Sequence, residues 1–336
     1  MNKDTNKNVN SPVTSKKQIQ VGGQAVIEGV MMRGPEYLAT AIRRKDKTIE
    51  LKKTRFDSIT KSNKFFALPV VRGFVSLIEM MKIGIGTLNF SASRAELDWK
   101  EEEKKEGKKP KKEKSKSRQK MEEALSYIFA FGLAFLLFAF LPYQIAEWMK
   151  LGKENIYFNL FAGSIRIIFF VIYVWAISLM KDVKRIFEYH GAEHKAVFAY
   201  ENDSDLAVKS VQIFKTLHPR CGTSFMFFVL LISILIFSII DTFVARYIGV
   251  PSVPIRLAYH FLMVPFISGI SYEVLKLSGK NIKHPLVRFM TAPGLALQRI
   301  TTQPPDDEQV EVAVIAMKSA MGMDLTEYKN IEIIEE

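Results

Sequence analysis

The stretch SFMFFVLLISILIFSII, residues 224–240, decides the fold, because it contains no charged residue and its only polar residues are serines. As a helix, the apolar window around it is long enough to cross a bilayer core of about 30 Å. Uncharged helices of this length are rare in soluble domains, where a buried core helix is the alternative. Three more windows are similarly long and predominantly apolar, so we predict a mainly α, polytopic membrane protein with about four spans, at residues 124–144, 157–180, 223–246 and 256–277.

The average composition of the chain hides this organisation. Hydrophobic residues make up 48% of the 336 residues and charged residues 24%, which are ordinary values for a globular domain. The apolar residues are nevertheless concentrated in blocks, and basic residues outnumber acidic ones to give a net charge of +12. The single cysteine, Cys221, excludes an internal disulfide framework and is typical of a chain whose soluble parts lie in a reducing compartment.

The distribution of lysine and arginine predicts the topology. Two of these residues lie between the first and second spans, seven lie in residues 181–221, and two flank the connection between the third and fourth spans. Cytoplasmic loops carry the excess of basic residues, and residues 1–20 contain no apolar signal segment. We therefore expect a multi-pass protein of the cell membrane with both termini in the cytoplasm. Its basic face favours anionic lipid headgroups over nucleic acid as partners.

The N-terminal part is predicted to contain a disordered arm and a small cytoplasmic β-rich unit. Residues 1–18 are polar and form the arm, whereas residues 19–67 contain apolar runs punctuated by glycine. Within this unit, residues 40–43 are expected to pair with residues 48–52, in which apolar and polar residues alternate.

Residues 68–92 are apolar but include Arg72, Glu79 and Lys82. We interpret them as an amphipathic helix on the membrane surface. A fifth span is the alternative, but it would bury these charges and invert the topology of everything that follows. Residues 93–122 are rich in lysine and glutamate and are interpreted as a charged linker.

The rest of the chain is predicted to form a transmembrane domain at residues 123–278, with a cytoplasmic loop at 181–221. Residues 279–336 hold an interfacial segment interrupted by prolines and arginines, followed by a cytoplasmic helix at 306–320. Acidic residues in the first turn of that helix and an apolar stripe along it support its assignment, the stripe being Val310, Val314 and Met317.

The residues His190, Glu193 and His194 form an H-x-x-E-H pattern just after the second span. Residues at i and i+4 project from one face of a helix, so both imidazoles can reach one metal ion. Glu193 stands beside them as a candidate general base for a metal-bound water, which is the inverted zincin arrangement. The alternative is a cytoplasmic helix whose histidines make ordinary surface hydrogen bonds.

Further donors are expected at the same membrane depth, because a catalytic zinc needs a third protein ligand and an open position. His218 and Cys221 lie at the cytoplasmic mouth of the third span, and Glu273 lies near the cytoplasmic end of the fourth. Other roles stay open: Cys221 as inert packing or as a nucleophile with His218 as base, and Glu273 in an ion pair with Arg220 or Lys276. His260 is excluded as a ligand, because it lies in the outer half of the fourth span and not at the cytoplasmic end.

Four motifs resemble one family: GGQAVIEGVMMR at 22–33, HGAEHK at 190–195, HPRCGTSF at 218–225, and PGL at 293–295 with TTQP at 301–304. The chain, over roughly residues 20–320, is similar to the bacterial YqhQ-type membrane protein family of unknown function. The resemblance implies an integral membrane protein of a family labelled a predicted metal-dependent enzyme, with a metal at His190, Glu193 and His194, and it implies no substrate. Glu28 and Arg33, in the glycine-rich motif, are interpreted as parts of a tight turn or as a docking surface against the metal.

The function predicted from these residues is metal-assisted hydrolysis at the cytoplasmic face. His190 and His194 bind zinc, Glu193 is the catalytic base, and His218, Cys221 or Glu273 completes the ligand set. A substrate at that depth is a membrane-associated polypeptide or a lipid headgroup. The rival interpretation is a non-enzymatic scaffold or accessory factor in membrane-protein biogenesis. A transporter ranks third, because the first three spans carry almost no charge at mid-membrane.

Overall fold

The computed structural model of the chain describes residues 21–107, 115–150, 152, 156–281 and 284–335. The predicted disordered arm, and residues 108–114 of the predicted linker, lie outside these ranges. The chain divides into two compact units. We call them the sheet unit, within Met1–Phe56, Glu188–Thr216 and Pro304–Glu336, and the helical unit, within Asp57–Phe187 and Leu217–Gln303.

The described residues are mainly helical, as predicted. A π-helical turn at Leu136–Phe140 joins the third and fourth helices. The helices are α1 Ile59–Ser62, α2 Val71–Lys105, α3 Lys116–Phe135, α4 Leu141–Trp148, α5 Ile156–Ser178, α6 Lys181–Glu201, α7 Val208–Gln212, α8 Gly222–Tyr247, α9 Val253–Lys280, α10 Pro285–Thr301 and α11 Asp307–Ala320.

In the part of the sheet unit that the structure describes, five strands form one sheet in the order of the chain. The first four form an antiparallel meander, and the fifth adds to it in parallel. The predicted hairpin is confirmed, because Thr40 lies opposite Lys52 and Arg43 lies opposite Ile49. The fifth strand was not predicted. The strands are β1 Gly22–Val26, β2 Gly29–Arg33, β3 Tyr37–Arg43, β4 Ile49–Arg55 and β5 Ile331–Glu335.

The core of the sheet unit forms between the meander and α11. This helix packs against β2, β3 and β4, and Met32, Leu51 and Ile315 are among the side chains buried there. The predicted stripe of Val310, Val314 and Met317 is buried, but it describes only part of the contact. Ten of the helix's residues are buried, including polar Gln309, so α11 is enclosed nearly all round.

The start of α11 depends on a capping box, which we expect to contribute measurably to stability. The Asp306 carboxylate accepts from the Gln309 N–H at 2.7 Å, and the Gln309 side chain accepts from the Asp306 N–H at 2.9 Å. Replacing Asp306 with alanine should cost about 1 kcal/mol and lower the Tm of the purified protein. Asp306→Asn is the control, since asparagine caps equally well; equal losses in both variants would contradict this role.

Among its described residues, the helical unit contains four segments that are long and apolar enough to cross a membrane, judged by length and composition. They agree with the four predicted windows to within a few residues at each end. The first includes the π-helical turn, and the other three lie in α5, α8 and α9. The segments are Ala124–Trp148, Ile156–Ser178, Gly222–Tyr247 and Val253–Gly279.

Helix α2 is longer than predicted, and two of its charged side chains have partners in the helical unit. It continues to Lys105, past residue 92, and it is about 52 Å long. Arg72 is paired with Glu273 of α9, and the Glu79 carboxylate accepts from the Ser58 hydroxyl at 2.8 Å at the start of α1. Two of the charges that argue against burial therefore have partners within the helical unit. The placement of α2 on the membrane surface stays a prediction.

Candidate metal centre

The H-x-x-E-H residues lie on α6, in the part that belongs to the sheet unit. His194 and Glu193 are buried, and the side chain of His190 is 14% exposed. The two imidazole rings stand 4.5 Å apart between centroids, and each offers a nitrogen within 4.8 Å of the other's. The helical spacing predicted from the sequence thus brings the two rings onto one face.

Glu193 lies between the two imidazoles. Its Oε2 atom is 3.8 Å from the Nε2 of His190 and 3.8 Å from the Nε2 of His194. These distances exceed those of ordinary hydrogen bonds. Two ligand atoms bound about 2.1 Å from one tetrahedral zinc ion lie about 3.4 Å apart. The carboxylate and both Nε2 atoms are therefore spaced for a shared cation or a cation-bound water.

His194 is oriented by a backbone carbonyl. Its Nδ1 atom makes a short contact with the Thr216 carbonyl oxygen, which can only accept a hydrogen bond. The proton of the neutral ring is therefore assigned to Nδ1, and Nε2 carries the lone pair that a metal needs. Thr216 was not among the predicted site residues, because a backbone acceptor leaves no signal in the sequence.

Lys195 holds the segment that supplies this carbonyl. The side chain is buried, and its ammonium donates to the carbonyl oxygens of Gln212 at 2.5 Å and Phe214 at 2.7 Å. Burial lowers the pKa of Lys195 because it removes water from the charged group. The lysine in the HGAEHK motif thus has a structural role next to the histidines.

The glycine-rich N-terminal motif approaches the same place from β1. A Cβ atom at Gly23 would lie 2.7 Å from the Glu193 Cγ and 2.6 Å from the Met31 carbonyl oxygen. The Tyr189 hydroxyl, next to His190 in the chain, donates to the Glu28 carboxylate at 3.3 Å. Glu28 occupies the turn between β1 and β2 with a φ of 54°. The motif therefore forms a tight turn and also contacts the α6 residues.

Arg33, the other charged residue singled out in this motif, stacks on a ring of the sheet unit. Its guanidinium carbon lies 4.5 Å from the centroid of Phe56. This cation–π contact gives Arg33 a partner at the end of β2.

His218 and Cys221 lie in the helical unit, in the turn that precedes α8. Gln298 bonds both the N–H and the carbonyl of His218 at 2.8 Å. The Nδ1 atom of His218 accepts from the Arg220 N–H at 3.3 Å, which assigns the ring proton to Nε2. Cys221 is buried at the N-cap of α8, and its sulfur accepts from the Thr223 N–H at 3.4 Å.

Glu273 lies on α9 and forms an ion pair with Arg72 of α2. Arg72 of α2 donates through Nε to Oε1 at 2.6 Å and through a second nitrogen to Oε2. Both carboxylate oxygens are thus held by one guanidinium. The sequence analysis did not name Arg72 as a partner of Glu273, whereas Lys276, which it did name, also lies within electrostatic reach of the carboxylate.

Comparisons with known proteins identify the family. The chain belongs to the family described as "Protein of unknown function (DUF1385)", whose model matches residues 68–323. It is 34% identical over 312 residues to "Uncharacterized protein YqhQ" of Bacillus subtilis (strain 168), a match that covers 92% of this chain and 94% of that protein. No solved structure matches the chain. The resemblance inferred from the four motifs is confirmed.

Proposed function

We propose that this family member is a multi-pass protein of the cell membrane with four spans and cytoplasmic termini. Four apolar segments of spanning length support this proposal. The excess of lysine and arginine in residues 181–221 supports the orientation, since that segment then faces the cytoplasm together with the residues before the first span.

We further propose that the α6 residues form a zinc site with hydrolytic activity. The observation that carries the proposal is the position of Glu193, whose Oε2 lies 3.8 Å from the Nε2 of both His190 and His194. The donor set fits zinc, which favours imidazole nitrogen and carboxylate oxygen. The bond from His194 Nδ1 to a carbonyl is the outer-shell contact that zinc-binding histidines characteristically make.

Of the three donors that the sequence suggests for a third ligand, His218, Cys221 and Glu273, we propose Cys221. Arg220 engages the Nδ1 of His218, which leaves the proton on its other nitrogen, and Arg72 occupies both oxygens of Glu273. A thiolate sulfur is a strong zinc ligand.

In this mechanism the protein's own groups position and move a proton. Zinc held by His190 and His194 would supply Lewis acidity to the reacting groups. Glu193 would act as the general base, taking up a proton at Oε2 and returning it to the leaving group. The Thr216 carbonyl fixes the ring of His194 throughout. The proposed substrate is a membrane-associated polypeptide or a lipid headgroup.

Elemental analysis of the purified full-length protein tests the site. We expect about one zinc per chain in the wild type and less than a tenth of that in His194→Ala, because removing one of three ligands from a tetrahedral site abolishes tight binding. Cys221→Ala should lose zinc to a similar extent if its sulfur is a ligand. His284→Ala is the matched control, since that histidine caps α10 and lies outside the site. Equal zinc in all four proteins would overturn the metal site.

A structural metal site in a non-enzymatic accessory factor is the second candidate. The close approach of Gly23 to Glu193, together with the burial of that carboxylate, favours it. Cobalt substitution separates the two. In a hydrolase, the visible spectrum of bound cobalt should respond to added acetohydroxamate, because one coordination position is open, and the Glu193→Gln variant should keep its metal while the pH dependence of that spectrum shifts. A spectrum that responds neither to acetohydroxamate nor to the Glu193→Gln substitution would establish the structural alternative.

A further inference from the structure

A second charged cluster lies in the helical unit, where the C-terminal part of α8 meets the N-terminal parts of α5 and α9. Asp241 of α8 is buried, and Arg256 of α9 donates to its Oδ2 atom. Its Oδ1 atom accepts from the Tyr259 hydroxyl and contacts His260 Nε2 at 2.8 Å. Asp241 is thus bonded by three side chains of α9, and both of its oxygens are engaged.

Helix α5 contributes an amide and a second guanidinium. The Asn159 side-chain carbonyl accepts from Arg256 at 2.7 Å, and Arg166 lies within electrostatic reach of both Arg256 and Asp241. Arg166 Nε donates to the carbonyl oxygen of Phe138 at 2.6 Å, in the π-helical turn. Irregular helical turns of this kind are often found at functional sites.

The cluster carries one positive charge in excess. It has two guanidinium groups and one carboxylate, with His260 counted as neutral. Among the residues that the structure describes, Arg256 bonds no carboxylate other than Asp241, and Arg166 bonds none. Arg166 lies ten residues into α5, about 15 Å from the start of the helix and near the centre of the proposed span. An uncompensated charge at that depth is costly unless an anion neutralises it.

Two buried polar groups in this cluster have no partner in the described part of the chain. The Asn159 Nδ2 atom is a donor on a side chain that is 7% exposed, and Ser238, which is 1% exposed, has an unbonded hydroxyl. Ser238 precedes Asp241 by three residues and so shares its face of α8. Phe237 stacks on His260, which shows that this part of α8 faces α9. The unbonded groups are therefore both available to donate to a further acceptor.

We propose that Arg166, Arg256 and Asn159 form a binding site for a singly charged phosphate oxyanion within the outer half of the spans. A guanidinium matches the geometry of phosphate oxygens, and the amide supplies another donor. One negative charge balances the excess of the cluster. The group comes either from the phosphodiester of a lipid headgroup or from inorganic phosphate. The proposal rests on the assignment of α5, α8 and α9 as spans.

Two measurements on the purified full-length protein distinguish these sources. In the first, the Tm in detergent is followed while inorganic phosphate replaces chloride at constant ionic strength. In the second, protein incubated in mixed micelles with phosphatidylglycerol is purified again, and retained lipid is counted by mass spectrometry. A rise in Tm identifies the free ion, and about one retained lipid per chain identifies the headgroup. A response in neither measurement overturns the proposal.

Substitutions test which residues form the oxyanion site. Arg166→Gln should weaken the binding of phosphate or lipid in these two measurements about 10- to 100-fold, because it removes a charge-assisted contact. Arg246→Gln is the matched control, since Arg246 is exposed near the end of the same helix as Asp241 and should behave as wild type. A wild-type response in Arg166→Gln would refute the assignment.

Asn159→Asp provides a second test of the site that does not depend on the folding of Arg166→Gln. This variant places the missing negative charge inside the protein next to Arg256. It should therefore keep or raise the Tm in ligand-free detergent and abolish the response to phosphate and lipid. A lower Tm with the response intact would refute the proposal. Zinc content should be unchanged in every one of these variants, so that failure here is distinct from failure of the proposed zinc site.

Discussion

Replacing Gly23 with alanine should destabilise the protein by about 3 kcal/mol, the largest effect we expect from a single methyl group. A Cβ atom there would lie 2.6 Å from the Met31 carbonyl oxygen and 2.7 Å from the Glu193 Cγ. The first of these neighbours belongs to the backbone of the paired strand, so rotation of a side chain cannot relieve the contact. The Tm of the full-length protein in detergent should fall by roughly 5–10 °C.

The same substitution should weaken the proposed zinc site, because it pushes Glu193 away from the two imidazoles. Displacing a group that supports a metal site typically lowers metal affinity about 10- to 100-fold. Competition with a chelator of known affinity measures this change. The fall in Tm and the loss of affinity are separate readouts, so one can fail without the other.

Gly22→Ala is the matched control for both readouts. Gly22 precedes Gly23 on β1, is exposed, and has no atom within 4 Å of where its Cβ would stand. The two variants lose the same backbone freedom in the unfolded chain, so their difference isolates the contact with Met31 and Glu193. Similar Tm values for the two variants would show that β1 does not lie against Glu193 as described.

The parts of the fold that follow from local patterns could be predicted from the sequence. The four apolar segments are defined by uninterrupted hydrophobicity, and the β3–β4 hairpin is defined by alternation around a polar turn. The helix that carries His190 and His194 follows from their spacing of four. Each of these features depends on residues that are close together in the chain.

The features that were not predicted depend on residues that are far apart in the chain. Strand β5 pairs with β4 across nearly the whole sequence, with Ile331 opposite Ile49. Gly23 meets Glu193 from a strand 170 positions earlier. Sequence reasoning identified the glycine-rich motif and the α6 residues separately, but no local pattern states that the two touch.

The charged residues of the proposed spans illustrate the same limit. Asp241, Arg256 and Arg166 each interrupt an apolar run, and each one alone has little weight in a hydropathy average. Their meaning depends on the helices that bring them together. A transporter is disfavoured if the first three spans carry almost no charge at mid-membrane, but Arg166 lies near the middle of α5. Polar groups in spans are best judged by their partners.

Breaking the ion pair between Arg72 and Glu273 should cost about 3 kcal/mol, because Arg72→Met leaves a carboxylate in α9 without the guanidinium that holds both of its oxygens. Methionine keeps most of the volume of the arginine stem, so the loss measures charge pairing more than packing. Lys82→Met is the control on the same helix, since Lys82 is exposed and its substitution should leave the Tm almost unchanged.

The double variant Arg72→Met/Glu273→Gln decides whether pairing is the cause. Once the carboxylate is neutral, most of the lost stability should return, because the cost of the single change comes mainly from an unpaired charge. The Tm of all four proteins in the same detergent provides the comparison. If the double variant is less stable than Arg72→Met alone, the contact between α2 and α9 depends on packing around Gly73 and Tyr272 rather than on the ion pair.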